Sequence, residues 1–141
     1  MTEKKDINTQ ELQQKYMKLQ TNNQQLQQLQ QQLQAVQNQL VEVQTILLAL
    51  DDIAKTEVGK EMFVPLSSGI FVKAEIKDNK MLKVNVGSNT VVEKSVQDTK
   101  ALLDRQILDL NKLNDELTSQ YAKVVSDAEK LQLELQSLAS K

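Results

Sequence analysis

Leucine recurs every seven residues through the first part of the chain, and a second apolar stripe follows it at a fixed offset. The first stripe consists of Leu12, Leu19, Leu26, Leu33, Leu40, Leu47 and then Ala54, and the second consists of Leu29, Val36, Val43 and Leu50. Alternating steps of three and four residues give the 3.5-residue period of a left-handed coiled coil. Because residues 7–58 contain no Gly and no Pro, we predict a helix on the order of 75 Å long there, and Asn8 with Glu11 resembles a capping box at its start.

The N-terminal end of this helix breaks the pattern. Lys15 and Asn22 occupy second-stripe positions that would otherwise be apolar. Two interpretations stay open: a frayed end of a coiled coil, or a loosely packed tip whose apolar side chains contact a partner. Met and Tyr are adaptable contact residues, which suits the second interpretation. The apolar side chains that remain in this segment are Ile7, Leu12, Tyr16, Met17 and Leu19.

A second heptad ladder occupies the last third of the chain. Its members are Val96, Leu103, Leu110, Leu117, Val124, Leu131 and Leu138, and their companions four residues on are Ile107, Tyr121, Ala128 and Leu135. Asn114 falls in the companion stripe, where a buried Asn typically fixes register at a cost in stability; alternatively, the neighbouring Leu113 shares that position. Ser95, followed by Asp98 in the first turn, predicts the start of a helix over residues 95–140.

Two ladders of similar length favour an antiparallel two-helix coiled coil, because each helix then covers the other's apolar stripe. This arrangement brings the two ends of the chain together. We therefore predict that Leu131, Leu133, Leu135 and Leu138 lie near Leu12, Tyr16 and Leu19.

Between the ladders the apolar period changes from 3.5 to 2, which predicts strands. Four short alternating runs are separated by turn-forming residues at 67–69, 77–80 and 87–89. All three Gly residues lie between positions 59 and 87. Pro65 predicts an edge position or a bulge. Isolated hairpins are marginal in water, and both helices already use their stripes on each other. We therefore predict two hairpins that pair with other subunits through Met62, Val64, Leu66, Ile70, Val72, Ala74, Ile76, Leu82, Val84, Val86, Val91 and Val92.

Composition removes several classes of function. The chain has no His and no Cys, which removes imidazole catalysis and His or thiolate metal ligands. A net charge of −2 and few aromatic residues argue against nucleic-acid binding. The carboxylates Asp51-Asp52 and Glu57 with Glu61 lie around a helix end with no cleft implied, so we predict no enzyme and no cofactor. No apolar run approaches the length of a membrane span, and we expect a cytoplasmic protein.

The order helix, two hairpins, helix resembles the α-type subunit of the archaeal prefoldin family. The run from Gly59 to Ala74, which contains Val64-Pro65-Leu66, is similar to that family's first hairpin, and Val84-Asn85-Val86-Gly87-Ser88 through Ser95 is similar to its second. Ser67 stands where a Gly is common in the first turn, and Ser88-Asn89-Thr90 replaces a more Gly-rich second turn. Both departures keep turn-forming residues. We therefore interpret residues 1–141 as a single prefoldin-like domain, with helices at 7–58 and 95–140 and two hairpins at 60–94.

The resemblance implies a mainly α fold with small β content, in which the hairpins assemble into an intersubunit β-barrel. It implies a hexamer of two α-type and four β-type subunits, whose coiled-coil tips hold non-native polypeptides and deliver them to a group II chaperonin without nucleotide. The client-binding residues that we expect at the tip are Ile7, Leu12, Tyr16, Met17, Leu19, Leu131, Leu133, Leu135 and Leu138. The alternative interpretation is a coiled-coil scaffold or a filament-forming protein that does not bind clients.

Overall fold

The computed structural model describes the backbone of residues 2–139 and the side chains of residues 9–139. Six elements follow one another along this stretch: α1 (Thr2–Lys55), β1 (Glu61–Ser67), β2 (Ile70–Glu75), β3 (Met81–Asn85), β4 (Val91–Ser95) and α2 (Val96–Ala139). Helix α1 already includes Asn8, so the predicted capping box does not start it. The backbone divides into two compact units: a terminal unit (Met1–Asn38 and Leu110–Lys141) and a hairpin unit (Gln39–Asp109).

In the terminal unit the two helices run antiparallel. Contact partners advance along α1 as they recede along α2, from Lys15 with Glu134 to Gln30 with Tyr121. The seam between the helices is formed by apolar side chains of both heptad ladders. The buried ones in this unit are Leu29, Val36, Leu117, Ala128, Leu131 and Leu135.

The polar members of the terminal seam do not bury completely. Asn114 is half-buried, and its Oδ1 accepts a hydrogen bond from Gln37 Nε2 at 3.3 Å. Leu113 is exposed, so it does not share the seam position of Asn114. Tyr121 is placed similarly, since its hydroxyl accepts from Gln30 Nε2 at 3.0 Å. These contacts satisfy the polar side chains at the margin of an apolar seam.

In the hairpin unit the helices are also antiparallel, and an ion pair between Asp51 and Lys100 bridges them. Helix α2 begins as predicted, because Ser95 Oγ accepts a hydrogen bond from the Asp98 main-chain N–H at 3.0 Å. Helix α1 gives way to the first hairpin at Gly59, which has φ +94 and whose N–H donates to the Ile76 carbonyl at 2.7 Å. The buried members of this seam are Leu40, Val43, Leu50, Val96, Thr99 and Leu103.

Two separate two-stranded antiparallel sheets follow, β1 with β2 and β3 with β4. The first has a register shift between Pro65 and Ser67, so the bulge predicted from Pro65 is present and Leu66 lies in it. Ser68 and Gly69 form its two-residue loop, both with positive φ. The predicted coiled coil with two β-hairpins is thus confirmed as the fold of this chain.

Candidate functional site

The terminal unit places the predicted tip residues in three different environments. Tyr16, Met17 and Leu133 are 56–68% exposed. Leu12, Leu19 and Leu138 are half-buried, whereas Leu131 and Leu135 are buried in the seam. Ile7 lies outside the residues whose side chains the structure describes. Among the described residues, the accessible apolar surface at this end therefore consists mainly of three side chains, and the buried leucines lie beneath them in the seam.

Two polar side chains interrupt the seam close to these residues. Lys15 is only partly exposed, and its Nζ reaches Glu134 at 3.0 Å across the helix pair. Asn22 is half-buried, and its Nδ2 has no hydrogen-bond partner. A buried amide without a partner forfeits its hydration without recovering a hydrogen bond. The seam is therefore weaker around Asn22 than farther along, where the polar seam residue Asn114 accepts a hydrogen bond from Gln37.

Strand register divides the first hairpin into two faces. Met62 opposes Ala74 and Val64 opposes Val72, so these four side chains share one face. Much of that face is open, since Val64 and Val72 are exposed. Leu66 and Ile70 flank the turn and are also exposed, while Ile76 follows the end of β2 and is half-buried.

The second hairpin also has two faces, and the residues predicted for oligomerisation are divided between them. Val84 opposes Val92, and Leu82 opposes Lys94, which gives one half-buried face. Val91 opposes Asn85 on the other face and is exposed. The set predicted for oligomerisation therefore does not lie on a single surface. Val86 lies just beyond β3, is exposed, and accompanies the second turn.

Sequence reasoning missed two exposed aromatic residues on the first hairpin. Phe63 opposes Lys73 and Phe71 opposes Pro65, so both phenyl rings lie on the face opposite to Val64. These are the only two Phe residues of the chain, and both are exposed. On the same face, Lys73 Nζ lies 2.9 Å from Glu61 Oε2. The signal that could have revealed this surface is the alternation that places Phe71 on the face opposite to Val72, together with Phe63 on the adjoining strand.

Among the described side chains, the carboxyl groups of Asp51 and Asp78 have lowered pKa values, and both shifts follow from local contacts. A hydrogen bond from Lys100, reinforced by its charge, lowers the pKa of Asp51. The main-chain N–H groups of Lys80 and Met81 donate to Asp78 Oδ1 at 2.8 and 3.1 Å and lower the pKa of Asp78. Each carboxylate thus has a structural partner: Asp51 pairs with the other helix, and Asp78 closes the linker between the hairpins.

Other chemistry finds little support within the described range. Among residues 9–139, no three acidic, His or Cys side chains are grouped closely enough to hold a metal ion. Neither long helix, over its described part, carries a stretch apolar enough to cross a bilayer. Exposed apolar side chains lie at one end of the helix pair and on both hairpins.

A paired helix that carries exposed strand faces is a subunit built to assemble with others, because hairpins of this size do not cover their own apolar surface. A model of the prefoldin subunit family matches residues 22–141. The chain belongs to the prefoldin family. It is 36% identical over 94 residues to a prefoldin subunit alpha of Thermofilum pendens, a match that covers 67% of each chain. The chain thus spans about two thirds of the length of that relative.

Solved structures show the same fold. A filamentous PFD from Methanocaldococcus jannaschii superposes with a TM-score of 0.74 at 19% identity, covering 82% of this chain and 95% of that one. A prefoldin beta subunit from Thermococcus strain KS-1 superposes with a TM-score of 0.60 at 24% identity, covering 90% of both chains. Further curated relatives are also named prefoldin subunit alpha, which agrees with the resemblance found from the two hairpin motifs.

Proposed function

We propose that this chain is the α-type subunit of an ATP-independent holdase. In this proposal it joins β-type prefoldin subunits in a hexamer of two α and four β chains, binds non-native polypeptides at its tip and delivers them to a group II chaperonin. The observation that carries the proposal is the exposure of Tyr16, Met17 and Leu133 at one end of a prefoldin-family helix pair. Unfolded clients also expose apolar side chains, which bind to an exposed apolar surface such as this one.

The site suits a client without fixed geometry. Three exposed side chains on a helical surface make no deep pocket, and Met adapts to irregular apolar surfaces. Each contact contributes about 1 kcal/mol or less after partial burial. Several tips on one assembly raise the overall affinity through effective concentration, by about a hundredfold or more. Weak individual contacts also allow release one tip at a time.

The hairpins supply the assembly in this proposal. Their open apolar faces, with Val64 and Val72 on one side and Phe63 and Phe71 on the other, gain most by pairing with strands of other subunits. We infer that they complete β-barrels with single-hairpin partners. Both faces of the first hairpin carry exposed apolar side chains, which fits a position inside an assembly better than one at its margin.

A scaffold or filament without client binding is the second candidate. The favouring observation is the fold likeness to the filamentous PFD of Methanocaldococcus jannaschii. Both candidates need the same helices and hairpins. They differ at the tip, since only the holdase requires the exposure of Met17 and Leu133.

Suppression of aggregation tests the proposal directly. A chemically denatured client is diluted into buffer that contains the complex purified with its co-purifying subunits and no ATP, and light scattering is followed. We expect strong suppression at near-stoichiometric complex, and much weaker suppression by the Met17→Gln, Leu133→Gln double variant. Leu113→Gln is the matched control, because Leu113 is also an exposed leucine of α2 but lies away from the tip. No suppression by an intact native complex would favour the scaffold, and full suppression by the tip variant would refute the tip as the site.

A further inference from the structure

Among the described residues, the large apolar side chains of the helices that are at least 56% exposed lie in two separate zones. One zone is the tip, with Tyr16, Met17 and Leu133. None of the Leu, Val or Tyr side chains between residues 18 and 40 of α1, or between 114 and 132 of α2, is mainly exposed. Exposure returns in the hairpin unit at Val41, Leu48 and Leu108, which are 59–69% exposed. We call these three side chains the lateral patch.

The lateral patch lies on one side of the helix pair in the hairpin unit. Val41 and Leu48 are seven residues apart, and each directly follows a seam residue of α1. Leu108 likewise follows Ile107, a half-buried seam residue of α2. In an antiparallel pair, residues at this offset from the seam project to the same side from both helices. The Asp51–Lys100 ion pair bridges the helices there, because Asp51 lies one turn beyond Leu48 and Lys100 occupies the stripe of Ile107.

The helices around the lateral patch are acidic. Residues 39–55 and 96–109, the helical parts of this unit, together carry six acidic and three basic side chains. The acidic ones are Glu42, Asp51, Asp52, Asp98, Asp104 and Asp109, and the basic ones are Lys55, Lys100 and Arg105. A second copy of this chain would place like charges against each other, which opposes association. A partner with basic side chains around an apolar surface would be complementary.

We propose that the lateral patch is a second subunit interface, which packs against the helices of a different prefoldin subunit bearing basic flanking residues. The patch belongs to the same compact unit as the hairpins, and in the proposed function the hairpins are the surfaces through which the subunits assemble. If the hairpins pair with strands of other subunits, the helix segments next to the hairpins are the ones brought nearest to the partner's helices. Contact at the lateral patch therefore continues the strand interface onto the helices and constrains the direction in which each helix pair leaves it.

Site-directed crosslinking in the native complex tests this. The chain has no cysteine, so Leu48→Cys introduces its only thiol for a maleimide–benzophenone probe. We expect photocrosslinks from Leu48→Cys to a helix of a different prefoldin subunit, identified by mass spectrometry. Gln34→Cys is the matched control, because it lies on the same stripe of α1, two heptads earlier, and is also exposed. A yield no higher than that of the control would overturn the proposal, as would products that join Leu48→Cys to a second copy, a client or a chaperonin.

Assembly strength gives an independent measurement. We expect the Leu48→Gln, Leu108→Gln double variant to raise the dissociation constant of the complex about tenfold or more, because both side chains lose apolar contact with the partner. The circular dichroism of the isolated chain should be unchanged, since both residues are exposed there. An unchanged dissociation constant would contradict the interface.

This inference rests on the subunit assembly of the proposed function and not on its client binding. The tip variant Met17→Gln, Leu133→Gln separates the two, because it should reduce suppression of aggregation and leave the dissociation constant as it was. If the native complex fails to suppress aggregation while Leu48→Cys still crosslinks to a different subunit, the holdase proposal fails and the lateral interface stands.

Discussion

Asn79 donates its side-chain amide to the main-chain carbonyl of Thr56 at 2.9 Å. Thr56 directly follows α1, and Asn79 lies in the linker between the two hairpins. The bond therefore joins the end of the first helix to a segment 23 residues later. The Lys80 carbonyl accepts from the Val96 N–H at 2.9 Å, which ties the same linker to the start of α2. The linker thus fixes where both hairpins leave the helix pair.

We predict that Asn79→Ala destabilises the hairpin unit by about 1 kcal/mol, the usual net contribution of one such hydrogen bond. Hydrogen exchange measured by mass spectrometry should accelerate at Gly59 and Ile76, whose amides bond across the same junction. Asn85→Ala is the control, because Asn85 Oδ1 accepts only locally, from the Gly87 N–H. Its effect should stay within the second turn. Unchanged exchange at Ile76 in Asn79→Ala would contradict the prediction.

Backbone conformation at the second hairpin turn leads to another prediction. Ser88 and Asn89 have φ +50 and +59, the left-handed region that costs most residues about 1 kcal/mol. We expect Ser88→Gly to stabilise the protein by about 0.5–1 kcal/mol, because Gly adopts this conformation without steric cost. Thermal unfolding at fixed subunit concentration measures the change, since assembly makes the midpoint concentration-dependent.

Ser67→Gly provides the contrast for that experiment. Like the second turn, Ser67 departs from the Gly that is common at this position in the family. In this chain Ser67 lies in β1 opposite Ile70 and has no positive φ. Glycine there should lower stability, because it adds chain entropy to the unfolded state without relieving strain. Stabilisation by Ser67→Gly as large as that by Ser88→Gly would rule out backbone strain as the cause.

Sequence periodicity alone predicts most of this fold. The step from a 3.5-residue to a 2-residue period separates helices from strands, and Ser95 is correctly assigned as the cap of α2. The start of α1 could not be found in this way. Asn8 and Glu11 have the residue types of a capping box, but a helix continues through such residues whenever the preceding ones also tolerate helical geometry.

The faces of the hairpins needed strand register, which sequence leaves undetermined. Val91 and Val92 are adjacent, so only one of them can share a face with Val84, and the turn decides that it is Val92. The heptad pattern does separate two of the tip leucines, since Leu135 lies on the companion stripe and is buried in the seam, whereas Leu133 lies on neither stripe and is exposed. The lateral patch did leave a signal: Val41 and Leu48 repeat at seven residues directly beside the seam.

Asn22 allows a test of the seam near the tip. We expect Asn22→Leu to raise stability by about 1–3 kcal/mol, because it removes a buried amide that has no partner and adds apolar burial. Chemical denaturation followed by helical circular dichroism measures this. Asn23→Leu is the control, since Asn23 is adjacent and exposed and its replacement should change stability by only a few tenths of a kcal/mol. A destabilising Asn22→Leu would mean that the amide has a role in the folded seam.

Asp78 predicts a pH dependence with a definite sign. Two main-chain N–H donors favour its charged form, so its folded-state pKa lies below the ordinary value of 3.8. Between the folded-state pKa and about pH 5, the carboxyl of Asp78 therefore binds more protons in the unfolded state than in the folded state. The free energy of unfolding rises with pH across that range. The contribution is complete above about pH 5 and is lost as pH falls through the folded pKa. We expect Asp78→Asn to flatten the fall of the unfolding midpoint between pH 5 and 3, because the amide oxygen still accepts but no longer titrates. Asp51→Asn should remove the separate part of the pH dependence that arises from the contact between Asp51 and Lys100. If the pH dependence of the unfolding midpoint is unchanged in both variants, other carboxylates cause the acid sensitivity.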